Sequence, residues 1–305
     1  MRVALTGASG FIGSVAARFL AEAGHQVTAL VRQTSRREHI EGVVDRFVVG
    51  EQDDHAAWES LLDGAGCVIH NSISWPAGDA WNFGAHLRSN LCGSLELLKA
   101  SAPRQFIYIS SIATQHDIMP RREDADGVNI VDEDHPLRPS TDYGALKAAV
   151  EAHLWAEHYS EGRNTTAVRP CGVYGIDPNL SRSHGFKLLQ KLAAGQRIDR
   201  PGGGKFVHVD DVGAAIVALV GNEAVAGQPF NLVDCYARWA DWARIGAEVL
   251  GIKAEIDESS PSLPKNMFSK DAARSLGVGL DRGHEGIRAY LVELAAAMRA
   301  AGALG

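Results

Sequence analysis

Cysteine is scarce. Cys67, Cys92, Cys171 and Cys235 stand far apart in a chain of 305 residues, with no CxxC pair among them. Such spacing suits structural thiols in a reducing cytoplasm better than a disulfide framework or a metal knuckle. No HxxxH or His/Asp cluster has zinc spacing either, so no metal is expected. Long apolar runs are missing, which excludes a bilayer-spanning segment. Met1 leads at once into a strand-like segment and leaves no room for a signal peptide. Long basic runs are missing too, and the net charge of -7 argues against nucleic acid as a partner. A local basic pocket for a phosphorylated substrate would not show in a net charge. The expectation is a cytoplasmic enzyme or binding protein acting on small molecules.

What is present begins at the N-terminus, with Val3-Ala4-Leu5-Thr6-Gly7-Ala8-Ser9-Gly10-Phe11-Ile12-Gly13. Val3 to Leu5 has the short apolar character of a buried parallel strand. Gly7 permits a tight turn, Gly10 a close approach of backbone to pyrophosphate, and Gly13 close packing of the following helix. Free N–H groups at the start of a helix over Phe11 to Ala23 favour anions. Gly7, Ser9, Gly10, Phe11, Ile12 and Gly13 are therefore assigned to a dinucleotide. An ordinary βα turn is the plain alternative, but the glycines follow a strand, precede a helix and open the chain.

Strand and helix patterns alternate through the first half. Strands are read at His25 to Val31, Arg46 to Val49, Cys67 to His70, Phe106 to Ser110 and Thr165 to Arg169. Helices are read at Asn90 to Ala100 and Tyr143 to Tyr159. This rhythm predicts an α/β fold, a Rossmann-type doubly wound parallel sheet covered by helices on both faces. It breaks after Cys171, where glycine- and proline-containing loops and shorter helices follow. Residues 1–170 are taken as the dinucleotide-binding domain and 171–305 as a smaller substrate lobe, with one strand near Pro229 to Val233 returning to the main sheet. Pro120 to Arg138 reads as an exposed loop.

One absence refines the cofactor. NAD sites place an acidic residue at the end of the second strand. Here the chain reads Leu30-Val31-Arg32-Gln33-Thr34-Ser35-Arg36-Arg37, with no acid. Guanidinium groups suit a 2′-phosphate through forked, charge-assisted hydrogen bonds. Arg32 and Arg36 thus predict NADP(H) in preference to NAD(H), against the alternative of a solvated basic loop.

Tyr143 and Lys147 stand one helical turn apart and project from one face. An ammonium near a phenol favours the phenolate and suits acid–base work on an alcohol or carbonyl. Taken alone, the pair is better explained by a helix surface. Ser110 and Ser111 end the fifth strand, and strand carboxyl ends face the ligand crevice of an open parallel sheet.

Together, TGASGFIG, Ser111 and Tyr143-xxx-Lys147 resemble the short-chain dehydrogenase/reductase superfamily, in its extended, NAD(P)-dependent epimerase/dehydratase branch. Further segments are similar to that branch in order along the chain: Val68-Ile69-His70-Asn71, Asn90-Leu91-Cys92-Gly93-Ser94-Leu95-Glu96-Leu97-Leu98, Arg169-Pro170-Cys171-Gly172-Val173-Tyr174-Gly175, Val207-His208-Val209-Asp210-Asp211-Val212 and Phe268-Ser269-Lys270 to Gly277. The resemblance implies Tyr143 as acid/base, Lys147 as the ligand of the nicotinamide ribose that lowers the Tyr143 pKa, and Ser111 as the group orienting the substrate oxygen. It brings Asn71 and Pro170 into the cofactor site and assigns Glu51 to the adenine amino group. It also implies a homodimer through the Asn90–Ala100 and Tyr143–Tyr159 helices, for which Ala148, Ala149, Ala152 and Leu154 are suited; burial against the chain's own sheet would use the same residues.

Departures from the family pattern bear on the substrate. The interval from Ser111 to Tyr143 is long, and its extra residues, Arg121 to Asp126 among them, form either a flap over the pocket or a disordered surface insertion. Nucleotide-sugar enzymes of the branch carry an RDFxHV arginine where this chain has Gly204 in Gly204-Lys205-Phe206-Val207-His208-Val209. Lys205 or Arg200 are the available substitutes. A smaller carbonyl or alcohol is favoured, with Trp75 and Trp81 as candidate pocket walls. His70 and His208 read as loop-holding residues. Three functions stay open: net hydride transfer to a carbonyl or alcohol, a nucleotide-sugar epimerase or dehydratase that retains its NAD(P), and a non-catalytic dinucleotide sensor.

Overall fold

Strands buried on both faces need near-continuous apolar runs, and the strands here are built that way. In the computed structural model, which describes residues 1–74, 82–120 and 122–304, thirteen strands are formed among those residues. They are β1 (Arg2–Thr6), β2 (Gln26–Val31), β3 (Arg46–Val49), β4 (Cys67–His70), β5 (Gln105–Ile109), β6 (Arg122–Glu123), β7 (Asn129–Val131), β8 (Thr165–Pro170), β9 (Gly172–Tyr174), β10 (Gly203–His208), β11 (Gln228–Leu232), β12 (Cys235–Arg238) and β13 (Asn266–Phe268). Seven of them make one parallel sheet in the order β11-β8-β5-β4-β1-β2-β3. The order reverses at β1, so this is the doubly wound, Rossmann-type sheet. The strand near Pro229 to Val233 is β11, and it returns to the sheet beside β8.

The helices are α1 (Phe11–Glu22), α2 (His55–Leu62), α3 (Phe83–His86), α4 (Gly93–Ala100), α5 (Asp142–Glu161), α6 (Phe186–Ala193), α7 (Val209–Leu219), α8 (Trp239–Leu250), α9 (Asp271–Ser275) and α10 (Gly283–Ala300). One face of the sheet packs on α1 and α7 through Ala16, Leu20, Val212 and Ile216. The other packs on α2, α4 and α5 through Leu61, Leu97, Val150 and Leu154. Leu154 is thus buried in the chain's own core, whereas Ala152 is exposed. A separate aromatic core of Tyr174, Phe206, Trp242 and Tyr290 joins β9 and β10 to α8 and α10. The helices after Cys171 are not all short, because α10 runs for 18 residues.

Two further expectations are corrected. The helix read from Asn90 begins earlier, in a π-helical turn over Leu87–Cys92, because the Asn90 side chain is committed inward. Pro120 to Arg138 is not simply an exposed loop. It contributes β6 and β7, and β7 pairs with β13 from the far end of the chain. Val131 and Phe268 are buried there with Val233, so apolar contact rather than local pattern orders the segment. Trp75, Trp81 and Arg121 lie outside the described residues.

Candidate active site

A parallel sheet aligns all its carboxyl ends on one edge, and the residues assigned to the site lie in the loops and helices that follow those ends, except Pro170, which is the last residue of β8. The turn after β1 is shaped by glycine. Gly7 has φ +71, and a β-carbon there would lie 3.0 Å from the Asn71 carbonyl carbon and the Ser72 nitrogen. At Gly13 a β-carbon would lie 2.0 Å from the Gly7 carbonyl oxygen, so α1 packs against the turn only because the side chain is missing. A β-carbon at Gly10 would meet only the Gly7 oxygen, at 3.4 Å. Gly10 caps α1 without a side-chain bond, and the first turn holds no acid. An open cradle, a helix start without a capping side chain and no negative charge fit a dinucleotide phosphate. Ser9, Phe11 and Ile12 line this turn, each partly buried.

Thr6 locks the neighbouring loop to the turn. Its hydroxyl accepts the N–H groups of Asn71 and Ser72, each at 3.1 Å. Its own hydrogen then goes to His70 Nδ1 at 2.8 Å, which leaves His70 Nε2–H to donate to Ser94 Oγ at 2.8 Å. Burial holds His70 neutral, with its pKa pushed from 6.5 down to about 3. Asn71 Nδ2 donates to the Gly7 oxygen at 3.3 Å. Asn90 ties down two more loops, accepting from Ser74 N at 2.6 Å and from Gln52 Nε2 at 2.8 Å. His208 acts likewise as the cap of α7, accepting from Asp210 N at 3.2 Å.

Arg32 and Arg36 follow β2 and are exposed, and neither ion-pairs with a carboxylate among the described residues. The Arg32 N–H donates to Ser35 Oγ at 3.2 Å, which tightens that loop. Glu51 follows β3 and is exposed.

At the end of β5 the two serines separate. Ser110 is buried, and its hydroxyl donates to Glu151, which also receives Arg169 in a forked pair with Nη2–Oε2 at 2.7 Å. Ser111 is only partly buried. Its hydroxyl accepts from Ala113 N at 3.1 Å, reaches the Pro170 oxygen at 3.5 Å and hydrogen-bonds the Tyr143 side chain. Tyr143 arrives there because α5 starts at a Thr141 cap that accepts Gly144 N at 3.1 Å. A β-carbon on Gly144 would lie 2.4 Å from the Ala113 oxygen, so that glycine allows the contact. One turn on, Lys147 is buried and donates through Nζ to the Ile109 oxygen at 2.6 Å. Nζ lies 4.5 Å from the Tyr108 ring centre and 5.9 Å from that of Tyr143.

The electrostatics depart from the expectation of a phenol made acidic by Lys147. Burial raises the Tyr143 pKa above its usual value, and only the Ser111 hydrogen bond opposes this. Burial brings Lys147 itself down to about 7, with Glu151 opposing. The ammonium is turned to the Ile109 carbonyl and the Tyr108 face, so the phenol keeps its proton.

Glu151, Arg169, Thr6 and Asn90 were missed as site residues. Glu151 carried a signal, since it follows Tyr143 by eight and Lys147 by four, on one helix face. Thr6 and Asn90 each open a motif quoted above, but the motifs gave no sign of their partners, most of which lie far away in sequence.

The chain is 26% identical over 259 residues to UDP-glucose 4-epimerase of Corynebacterium glutamicum, covering 76% of this chain and 75% of that protein. It is 25% identical over 296 residues to cinnamoyl-CoA reductase CAD2 of Medicago truncatula, covering 90% of each. A short-chain dehydrogenase/reductase superfamily protein from Agrobacterium tumefaciens, solved with bound NAD, shares the fold with a TM-score of 0.77 at 20% identity, over 99% of each chain. Residues 3–232 match the family described as NAD dependent epimerase/dehydratase, and the chain is an enzyme of that family.

Proposed function

We propose that this enzyme moves a hydride between NADP(H) and the carbon of a small carbonyl or alcohol, using Ser111, Tyr143 and Lys147. The observation that carries the reading is the meeting of the Ser111 hydroxyl, the Tyr143 phenol and the buried Lys147 at the same sheet edge as the glycine turn. The nicotinamide, when bound, gives or takes the hydride. Ser111 Oγ hydrogen-bonds the substrate oxygen. Tyr143 Oη gives that oxygen a proton in reduction and takes it back in oxidation. A phenol that keeps its proton in the ligand-free site is ready for the reducing direction. Lys147 would hold the ribose, Gly7, Ser9, Gly10, Phe11, Ile12 and Gly13 the pyrophosphate, Glu51 the adenine, and Asn71 and Pro170 the nicotinamide end. Arg32 and Arg36, exposed and in no ion pair among the described residues, suit the 2′-phosphate that distinguishes NADP from NAD.

In this reading residues 1–170 with β11 carry the cofactor, and 171–305 shape the substrate side. The chain works in the cytoplasm as a homodimer, and sedimentation at micromolar concentration decides the dimer: a single-chain mass would rule it out. A nucleotide-sugar epimerase is the second reading, supported by the Corynebacterium relative and opposed by Gly204 in place of a phosphate-binding arginine. Mixing the enzyme with NADPH and a panel of aldehydes and ketones, and separately with sugar nucleotides, separates the two. Stoichiometric NADPH loss is expected. Sugar-nucleotide turnover with no net cofactor change would overturn the proposal.

A further inference from the structure

β10 lies between β9 and β12, and alternation sends its side chains to two faces. Phe206 and His208 face the aromatic core, against Trp242 and Tyr174. Val207 faces the main core, and Lys205 shares its side of the strand. Lys205 Nζ lies 5.8 Å from the Phe268 ring centre. It meets no hydrogen-bond acceptor and no carboxylate at ion-pair distance among the described residues. The side chain is partly buried, burial lowers its pKa, and the groups its charge acts on are Cys171 and His116.

Those neighbours adjoin reaction-site residues along the chain. Cys171 follows Pro170, whose oxygen takes the Ser111 hydroxyl. Ile112 follows Ser111, and His116 ends the short helical turn that Ser111 caps. Ile112, Ile118 and Cys171 pack with Val131 and Phe268 in one apolar cluster. An apolar cluster therefore starts one residue from Ser111, and the Lys205 ammonium, without an anionic partner among the described residues, stands beside its Phe268 ring. A partly desolvated cation without an anion is costly, and a ligand carboxylate removes that cost.

We propose that Lys205 selects the substrate: a carbonyl compound, or its alcohol, with an apolar body and a carboxylate that pairs with Lys205 Nζ while the reacting oxygen lies at Ser111 and Tyr143. The proposal rests on the hydride-transfer reading above.

The test uses the full chain with NADPH and matched pairs, aryl-substituted α-, β- and γ-oxo acids each beside its methyl ester. At least one acid is expected to exceed its ester by about 10- to 100-fold in kcat/KM, mainly through KM. Lys205→Met should bring that ratio to about one, and Lys205→Arg should keep most of it. Ratios near or below one for every pair in the wild type, failure to reduce any acid, or an unchanged ratio in Lys205→Met would each overturn the proposal. Reduction of neutral carbonyls that is lost in Tyr143→Phe would then leave the hydride-transfer reading standing. No reduction of any carbonyl by the wild type would remove both.

Discussion

Two adjacent serines do different work, and their substitutions should separate cleanly. Ser110 is a buried donor to Glu151, which also holds Arg169. Ser110→Ala leaves that carboxylate short of a partner and should cost about 1–3 kcal/mol of stability, measured by denaturant unfolding. Ser111→Ala removes the cap of a short turn and should keep the chain folded, while lowering kcat about 100-fold or more, because in the proposed mechanism it removes a donor to the reacting oxygen. The reverse pattern would exchange their roles. His70 sets an acid limit on the fold. Between its usual pKa of 6.5 and its folded value of about 3, the unfolded chain binds a proton that the folded chain refuses. Stability therefore rises with pH across that window and is lost as the pH falls through it. His70→Gln should flatten this part of the pH–stability curve. An equal slope in the variant would mean that His70 does not titrate on unfolding.

At the scale of elements, the turn between β1 and α1 separates packing from binding. Gly13→Ala forces a methyl against the Gly7 oxygen and should cost about 1–3 kcal/mol, by thermal or denaturant unfolding. Gly10→Ala meets only ordinary contact at 3.4 Å, so it should leave stability close to wild type while weakening NADP(H) binding in titration. Equal stability losses in the two variants would contradict this account of the turn. These elements were legible because their rules are local. The apolar runs at Arg46–Val49 and Cys67–His70 coincide with β3 and β4, and the one-turn spacing of Tyr143 and Lys147 lies on α5 as read. The π-helical turn at Leu87–Cys92 was not legible, since it answers to Asn90 reaching Ser74 and Gln52 on two other loops. Nor were the two-residue β6 and the three-residue β7, which pair with each other while β7 forms against β13, more than 130 residues away.

At the scale of the molecule, the parallel sheet converts sequence order into a single working edge. Residues as far apart as Gly7, Arg32, Glu51, Asn71, Ser111 and Pro170 all end up at strand carboxyl ends. The alternation of strands and helices announced that edge before any contact was known. What it did not announce is the region after Cys171. There the aromatic core joins β9, β10, α8 and α10 through pairings that no local period records. The fall of Lys147 to about 7 and the rise of Tyr143 were equally hidden, because burial sets both and sequence spacing sets neither. The whole arrangement stands or falls on the phenol. Tyr143→Phe should lower turnover of a reducible carbonyl about 100- to 10,000-fold while its NADP(H) dissociation constant stays within about threefold of wild type. Turnover unchanged in Tyr143→Phe would take the phenol out of the chemistry and contradict the account.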